Sequence, residues 1–394
     1  MMTLKFKTLT LILLIYSSSF AQNWQAVPLV SQKILDSGNS GGEGCQVVEA
    51  IECDHNDGSF LLMGTDVGGI YRSIDGGKNW APANIGYNAR GNSGFAIDPN
   101  NNKRALAVGG NSTNNFSHGL YLTFNQGASW EHVLKISDYD GYRGFQDKID
   151  FVKASYNEEL GFSTDAYWSC PSGGIYKSTD GGKSWKKVNN DYGNSFLKVH
   201  PDSGFVYVAN EKGVFKSVDG GLTFQQKLSV EVTAFDLVIA APDNIYVASK
   251  YKYYRSTNGG ETFTQIRTNG FPTNVVSMNV SPADTSNIVI CQKNNNWGGP
   301  IYFSHDGGET WKISVRSNEL SFMPYNDRHQ KFAWHPTDEK KVWALGGDWI
   351  SSSSDTGEHF EWDANGYTGI LVGGMIHFNV SNPDLLYIAS QDYN

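Results

Sequence analysis

The chain has 394 residues, of which 39% are hydrophobic, 18% charged and 13% aromatic, and its formal net charge is −9. This composition excludes a disordered or fibrous protein, because it supplies enough apolar residues for one large or two medium cores. The acidic excess argues against nucleic acid as a partner, since phosphate binding requires clustered basic residues.

The first element in chain order is an export signal at residues 1–21. Two lysines precede an apolar run from Leu9 to Tyr16, and Ser-Phe-Ala ends at Ala21. This order is typical of a cleavable signal peptide, so we expect cleavage after Ala21 and a secreted or periplasmic protein. The run is too short for a membrane-spanning helix of roughly 20 residues, and no later segment is long enough.

An eight-residue motif then recurs seven times, with the pattern Ser/Thr-x-Asp/Asn-x-Gly-x-x-Trp/Phe. The copies, called Asp-boxes below, begin at Ser73, Thr123, Ser178, Ser217, Ser256, Ser304 and Ser353. Their spacing of 39 to 55 residues matches the period of a four-stranded propeller blade. The sequence therefore predicts an all-β fold, a seven-bladed β-propeller over residues 22–370.

Each Asp-box is expected to form the hairpin turn of its blade. The Asp-Gly or Asn-Gly pair provides the positive φ of a tight turn, and the Asp and Ser side chains bond nearby backbone N–H groups. The final aromatic residue is expected to pack between blades. Asp75, Asp180, Asp219 and Asp306 are therefore interpreted as scaffold, because a residue repeated in every blade cannot define one unique site.

The end of the chain predicts the beginning of another repeat. Residues 371–394 contain NPDLLYIASQD, which reads as the strand, turn and strand that precede each Asp-box, but no eighth box follows. We therefore expect residues 371–394 to start a second, truncated propeller.

Metal and cofactor motifs are not apparent. The nine histidines show no HExxH or paired spacing, so we predict neither a metal nor a cofactor. Four cysteines in an exported chain permit disulfides, but Cys170 and Cys291 are interpreted as buried thiols.

The first repeat carries a more specific signal. The segment GTDVGGIYR, with Asp66 before Gly-Gly, resembles the Arg-Thr-Asp-Val/Ile-Gly-Gly-x-Tyr-Arg signature of family 74 glycoside hydrolases. That family comprises xyloglucanases and oligoxyloglucan reducing-end-specific cellobiohydrolases. The following FAIDPNNNKRALAVGGNST resembles the family's Ala-x-Asp-Pro-Asn strand. One departure is Gly64, which stands where the family usually has Arg.

The resemblance implies two seven-bladed propellers facing each other across a glycan cleft, with two Asp residues that hydrolyse with inversion. Asp66 matches the first Asp and is assigned as general base. Asp392, in SQDYN, is the best match to the second and is assigned as general acid, although its motif is altered and cut off. Inversion needs the two carboxyl groups roughly 6.5–9.5 Å apart. The competing interpretation of Asp66 is a turn-forming residue.

Four aromatic residues are candidate sugar-binding platforms. Trp297 lies in a sequence loop where the resembling enzymes carry a Trp-rich loop that stacks on glucan. The segment AYWSCPSGGIYK predicts that Tyr167 and Trp168 lie in the comparable loop two blades earlier, and Trp349 in GGDW is a further candidate. Each is also a candidate packing residue, because aromatic side chains more often fill cores.

The function predicted from these features is cleavage of xyloglucan or a related β-glucan by a secreted glycoside hydrolase. The alternative is a non-catalytic propeller that binds glycan or protein, as in sortilin-type receptors and photosystem assembly factors. A sialidase is less favoured, because the chain has eight arginines and no Arg-Ile-Pro near its start. An Asp66 that faces a cleft would favour the hydrolase, whereas a buried Asp66 would favour the binding propeller.

Overall fold

The structure is a computed structural model of the chain, and it describes residues 48–110, 117–136, 148–293, 299–316, 329–346, 349–363, 371–378 and 386–392. The predicted signal peptide and its cleavage site after Ala21 lie outside these residues.

Seven antiparallel sheets form the blades, and each is built from consecutive strands, called A to D from the axis outward. Blades 1 and 2 contain β1 (Val48–Cys53), β2 (Leu61–Thr65), β3 (Ile70–Ser73), β4 (Ala81–Pro82), β5 (Gly91–Ile97), β6 (Ala105–Gly110), β7 (Gly119–Thr123) and β8 (Glu131–Lys135). Blade 3 contains β9 (Ile149–Phe151), β12 (Ala166–Ser169), β13 (Ile175–Ser178) and β14 (Lys186–Asn189). Its A–B connection holds a 3₁₀ helix (Lys153–Ser155) and the short pair β10 (Tyr156–Asn157) and β11 (Phe162–Ser163).

Blades 4 to 7 follow the same order. Blades 4 and 5 contain β15 (Phe196–Val199), β16 (Val206–Asn210), β17 (Gly213–Ser217), β18 (Gln225–Leu228), β19 (Ala234–Leu237), β20 (Ile245–Ser249), β21 (Lys252–Ser256) and β22 (Thr264–Ile266). Blades 6 and 7 contain β23 (Val275–Val280), β24 (Ile288–Gln292), β25 (Ile301–Ser304), β26 (Lys312–Ile313), β27 (Val315–Arg316), β28 (His329–Trp334), β29 (Val342–Gly346), β30 (Trp349–Ser353) and β31 (His359–Trp362). Strand β27 adds to the outer edge of blade 7, parallel to β31.

The seven blades close into a ring around one axis. The A strands of neighbouring blades contact one another in sequence, and β28 of blade 7 contacts β1 of blade 1. The described residues form seven hydrophobic clusters, and each cluster combines side chains from two neighbouring blades. The core therefore lies between blades, and the predicted seven-bladed β-propeller is confirmed.

The Asp-boxes are scaffold, as predicted. In the first box, Ser73 Oγ donates to Asp75 Oδ1 (2.8 Å) and accepts the Gly77 N–H (2.9 Å), while the Asn79 N–H donates to Asp75 Oδ1 (3.0 Å). The same three hydrogen bonds recur in the other six boxes. The final aromatics pack inward, and Trp80, Trp130, Trp311 and Phe360 are buried.

Basic side chains fasten several boxes to the preceding blade. Lys216, just before the blade 4 box, donates to Gly259 O in the next box (2.9 Å), and Arg72 donates to Gln126 O (3.0 Å). Blade 2 has Leu122 at the corresponding position, which cannot donate a hydrogen bond. Arg104 of the same blade instead donates to Gly181 O in the blade 3 box. The Arg104 guanidinium also lies 3.9 Å from the centre of the Phe162 ring. These contacts satisfy box carbonyls that have no partner in their own strand ladder.

Beyond blade 7, β32 (Leu371–Phe378) and β33 (Leu386–Asp392) pair with each other as an antiparallel hairpin. Strand β32 has an irregular register near its start, as do the A strands of blades 1, 2, 6 and 7. The hairpin thus resembles the A–B pair of a blade, and a second propeller stays a prediction.

Two smaller expectations can be compared with the described residues. Cys170 and Cys291 are buried thiols, as predicted, Cys53 is also buried, and Cys45 lies outside the described part. In the described ranges, the structure contains no helix of the length and apolar character that crossing a membrane requires.

Candidate functional site

The propeller has two edges, and only one of them carries the same turn motif in every blade. We call the edge that carries the A–B connections and the Asp-boxes the box edge. We call the opposite edge the B–C edge. Its fully described B–C turns are residues 66–69 of blade 1, 170–174 of blade 3, 211–212 of blade 4 and 250–251 of blade 5.

Asp66 lies on the B–C edge, directly after β2. The turn that contains it is closed by its neighbours: the Thr65 N–H and Thr65 hydroxyl both donate to Gly69 O (3.0 Å each), and the Gly68 N–H donates to the Thr65 hydroxyl (2.9 Å). Asn84 fixes the other side by accepting the Ile70 N–H (2.7 Å). These bonds place Asp66 at a defined point of the edge.

Glycines shape this turn in two ways. Gly69 has φ of 78°, and a Cβ there would collide with the Asn84 side chain, so both conformation and space require glycine. Gly64 lies against the Asn92 side chain of blade 2, and a larger residue would displace it. The absence of the family's usual Arg at position 64 therefore has a packing reason in this chain.

Burial distinguishes the two interpretations of Asp66. Its side chain is 2% exposed, and Asn92 at 2% and Ser93 at 6% are also buried. In the described chain Asp66 is not on an open surface. On the criterion stated above, this burial favours a structural role for Asp66.

The second predicted catalytic residue, Asp392, ends β33, and its backbone pairs with Leu371. The structure does not describe the side chain of Asp392. The described residues do not test the predicted pairing of Asp392 with Asp66, which stays a prediction.

The loop positions predicted for Tyr167 and Trp168 are wrong. Both lie inside β12, the B strand of blade 3, where their exposed fractions are 2% and 0%. Tyr167 packs between blades 3 and 4 and Trp168 between blades 2 and 3, because successive strand residues point to opposite faces. These rings are core residues, and a sugar cannot stack on them in this structure.

The other two predicted platforms are less completely described. Trp349 begins β30, so its backbone lies on the B–C edge of blade 7, and its side chain is not described. Trp297 lies outside the described residues, in the sequence between β24 and β25. Blade 7 adjoins blade 1, so the Trp349 backbone and Asp66 stand on neighbouring blades of the same edge.

Lys148, which sequence analysis did not single out, is a charged group buried on the B–C edge. It directly precedes β9, is 7% exposed, and its ammonium donates to Asn194 Oδ1 of blade 4 (2.6 Å). Burial, and secondarily the positive charge of Lys331, lower the pKa of Lys148 from its usual value to about 8. Lys148 belongs to no sequence motif, so no local pattern indicates that it is buried.

A cavity of about 150 Å³ lies at the opposite end of the axis, on the box edge. Its polar lining includes Asp150, Lys198 and Asp236. Asp150 accepts the Val199 N–H (2.8 Å) and Asp236 accepts the Val280 N–H (2.9 Å), so each carboxylate fastens the next A strand. Across the described residues, no three His, Cys, Asp or Glu side chains are arranged to hold a metal ion.

Sequence comparisons connect the chain with Asp-box proteins and xyloglucanases. A family model described as BNR/Asp-box repeat matches residues 176–187 and 302–312. A xyloglucanase from Paenibacillus sp. is 28% identical over 197 residues, covering 42% of this chain and 18% of that enzyme. A xyloglucanase from Hypocrea jecorina is 28% identical over 138 residues, covering 32% of this chain and 16% of that enzyme.

Solved structures share the fold. The GH74 enzyme of Niastella koreensis has a TM-score of 0.71 at 20% identity, covering 85% of this chain and 56% of that one. The GH74 xyloglucanase of Xanthomonas campestris has a TM-score of 0.66 at 16% identity, covering 89% and 58%. YCF48 bound to D1 peptide has a TM-score of 0.54 at 15% identity, covering 79% and 94%.

These comparisons confirm the resemblance to GH74 enzymes and Asp-box proteins. The chain spans little more than half the length of the GH74 structures that it matches, and the aligned segments span less than a fifth of the curated xyloglucanases.

Proposed function

We propose that this protein is a secreted glycoside hydrolase that cleaves xyloglucan or a related β-glucan. The observation that carries the proposal is the agreement between sequence and fold: the curated relatives are xyloglucanases, and GH74 structures superpose over most of the chain. The first-repeat segment around Asp66, which resembles the GH74 signature, supports the same reading.

We further propose an inverting mechanism in a cleft between two propellers. The Asp66 carboxylate would accept a proton from the attacking water, and Asp392 would donate a proton to the leaving glycosidic oxygen. The two groups would act from opposite faces of the sugar ring, which requires a water-sized gap between them. This mechanism requires that glycan and water reach the carboxylate of Asp66, which is 2% exposed in this chain. The surrounding residues must therefore open when substrate binds.

The test is release of reducing ends from tamarind-type xyloglucan and from mixed-linkage β-glucan by the complete gene product. The anomer formed first is read by NMR before mutarotation, since an inverting enzyme yields the opposite configuration from its substrate. Hydrolysis with inversion supports the proposal. Absence of hydrolysis on every β-glucan by folded protein refutes it, and retention refutes the two-Asp mechanism alone.

A second candidate function is a non-catalytic propeller that binds glycan or protein. The specific observation that favours it is the burial of Asp66. YCF48, solved with a bound D1 peptide, shares the fold over 94% of its length. Binding of xyloglucan without bond cleavage, in the assay above, would support this second candidate.

A further inference from the structure

In each of blades 1 to 4 a glycine stands four residues before the Asp-box, and it begins or directly precedes the C strand. An added Cβ in blades 2, 3 and 4 would collide with a main-chain carbonyl oxygen of the D strand. An added Cβ at Gly69 of blade 1 would collide instead with the side-chain oxygen of Asn84. In blade 1, a side chain thus takes the place of the D-strand main chain. The glycine and carbonyl pairs of the other three blades are Gly119 with Leu134, Gly174 with Asn189 and Gly213 with Leu228.

Asn84 occupies this place because the D strand of blade 1 ends early. Asn84 follows the final aromatic residue of its box by four positions, and so do Leu134, Asn189 and Leu228. Those three residues still belong to β8, β14 and β18, whereas β4 ends at Pro82. An asparagine side chain offers both an acceptor and a donor, so it can replace main-chain groups at such a point. The B–C turn of blade 1 therefore depends on one side-chain amide.

The Asn84 amide holds both sides of the 66–69 turn. Its Oδ1 accepts the Ile70 N–H (2.7 Å), and its Nδ2 donates to Gly68 O (3.3 Å). Asn84 is 4% exposed, so loss of its amide would leave buried main-chain groups without these hydrogen bonds. The main chain of Asn84 is itself fixed, because its carbonyl accepts the Tyr87 N–H (3.0 Å).

The same turn is also tied to the start of blade 2. The Gly69 N–H donates to Arg90 O (2.7 Å), directly before β5. The turn is therefore closed from within by Thr65 and held from the following connection by Asn84 and Arg90. Asp66 begins this turn, so the direction of its side chain follows the main-chain conformation that these hydrogen bonds fix.

We propose that Asn84 is a positioning residue for Asp66, and that it holds the 66–69 turn so that the carboxylate keeps the direction that proton abstraction from water requires. This inference rests on the proposed glycoside hydrolase function and gives Asn84 an indirect role, through the turn. A misplacement of about 1 Å at a catalytic group can cost roughly 100-fold in rate. Loss of the Asn84 amide should therefore lower kcat and leave the binding of substrate, which KM reports, nearly unchanged.

The test is steady-state hydrolysis of xyloglucan by the complete gene product, with urea unfolding to show that each variant is folded. Asn84→Ala removes both hydrogen bonds and is expected to lower kcat about 10- to 100-fold, with KM changed by less than about 2-fold. Asn84→Asp keeps the side-chain shape and the oxygen that accepts the Ile70 N–H, so we expect a smaller loss of kcat. It carries the test if the alanine variant does not fold.

Asn189→Ala is the matched control, because Asn189 has the same position in blade 3. Its side chain donates to Leu222 O (3.0 Å) and accepts the Asp191 N–H (2.8 Å), so this variant also loses two hydrogen bonds. Both bonds lie in blades 3 and 4, away from the Asp66 turn of blade 1. We expect Asn189→Ala to have the kcat of the parent.

A double-mutant cycle separates positioning of Asp66 from any other effect of Asn84. If Asn84 acts through the Asp66 carboxylate, Asn84→Ala should cause no further fall in kcat in protein that already carries Asp66→Asn. This result, together with a fall in kcat for Asn84→Ala alone, supports the positioning role.

Three other results contradict the proposal. Parent-like kcat in folded Asn84→Ala, or an equal fold-decrease in the parent and in the Asp66→Asn background, overturns the positioning role and leaves the hydrolase function intact. Equal losses of kcat in Asn84→Ala and Asn189→Ala overturn it in the same way. Absence of hydrolysis of any β-glucan by the folded parent overturns both the positioning role and the proposed function.

Discussion

The box edge and the B–C edge are built from the same seven blades, yet they differ in what is repeated. On the box edge, seven turns share the same three hydrogen bonds between a hydroxyl, a carboxylate or amide, and the backbone. On the B–C edge, the fully described turns of blades 1, 3, 4 and 5 range from two to five residues, and no motif is common to all four. Only an edge without repetition can present one unique site on a repeating scaffold.

The difference teaches that the acidic residues of the repeated motif hold the scaffold together. Asp219 in the blade 4 box is exposed, and its pKa is lowered to about 2, first by the Thr223 hydroxyl and then by the Thr223 N–H. This carboxylate is fully occupied in its own turn. Asp66 lies in a turn that occurs in one blade and is closed by hydrogen bonds of Thr65 and Asn84.

The largest expected effect on stability is at the box edge. Gly308 in the blade 6 box has φ of 94°, and an added Cβ would collide with the Tyr253 ring of blade 5. Gly308→Ala should therefore lower the free energy of unfolding by about 3 kcal/mol, the sum of backbone strain and overpacking. Urea unfolding measures this loss.

Gly161→Ala is the matched control for that variant. Gly161 also has positive φ, 70°, but nothing lies within 4 Å of an added Cβ. We expect a loss of about 1 kcal/mol from backbone strain alone. Equal losses at the two positions would show that boxes do not interlock neighbouring blades.

A smaller effect is expected at the B–C edge, at Lys148. Its pKa of about 8 lies below the usual value of about 10.4, so the protonated form is disfavoured in the folded state. The destabilisation is complete below pH 8 and disappears as pH rises toward 10.4. Lys148→Met should therefore be more stable than the parent at pH 7, by about 2 kcal/mol.

The pH dependence provides the check on this assignment. The difference in unfolding free energy between Lys148→Met and the parent should shrink between pH 8 and pH 10.4. If the difference in unfolding free energy stays constant over this range, Lys148 has an ordinary pKa and its ammonium group is not buried.

Sequence reasoning reached the scaffold more completely than the site. The boxes repeat a side-chain pattern whose hydrogen bonds are local, so their spacing predicts seven blades before any long-range contact is known. Tyr167 and Trp168 were misplaced because strand ends in AYWSCPSGG cannot be located from local pattern. The burial of Lys148 involves a 2.6 Å hydrogen bond to Asn194, 46 residues away in the chain, which no local motif encodes.

The smallest expected effect concerns the free energy of unfolding at acidic pH. Because the pKa of Asp219 is lowered to about 2, its hydrogen bonds stabilise the fold above its usual pKa near 4, and this contribution is lost as pH falls to 2. Asp219→Asn should unfold with a shallower pH dependence between pH 4 and 2. Asn125 and Asn258 occupy this position in other boxes, so the variant should fold. Parallel curves for parent and variant would refute the assignment.

The most direct test of the central claim compares Asp66→Asn on the B–C edge with Asp75→Ala on the box edge, by kcat on xyloglucan and by unfolding free energy. Asp66→Asn keeps the shape of the buried side chain and should lower kcat about 10²- to 10⁴-fold in protein that still folds. Asp75→Ala, which loses its hydrogen bonds to Ser73 and Asn79, should cost about 1 kcal/mol of stability and leave kcat unchanged. Full activity in Asp66→Asn, or loss of activity in folded Asp75→Ala, would contradict the division between scaffold edge and functional edge.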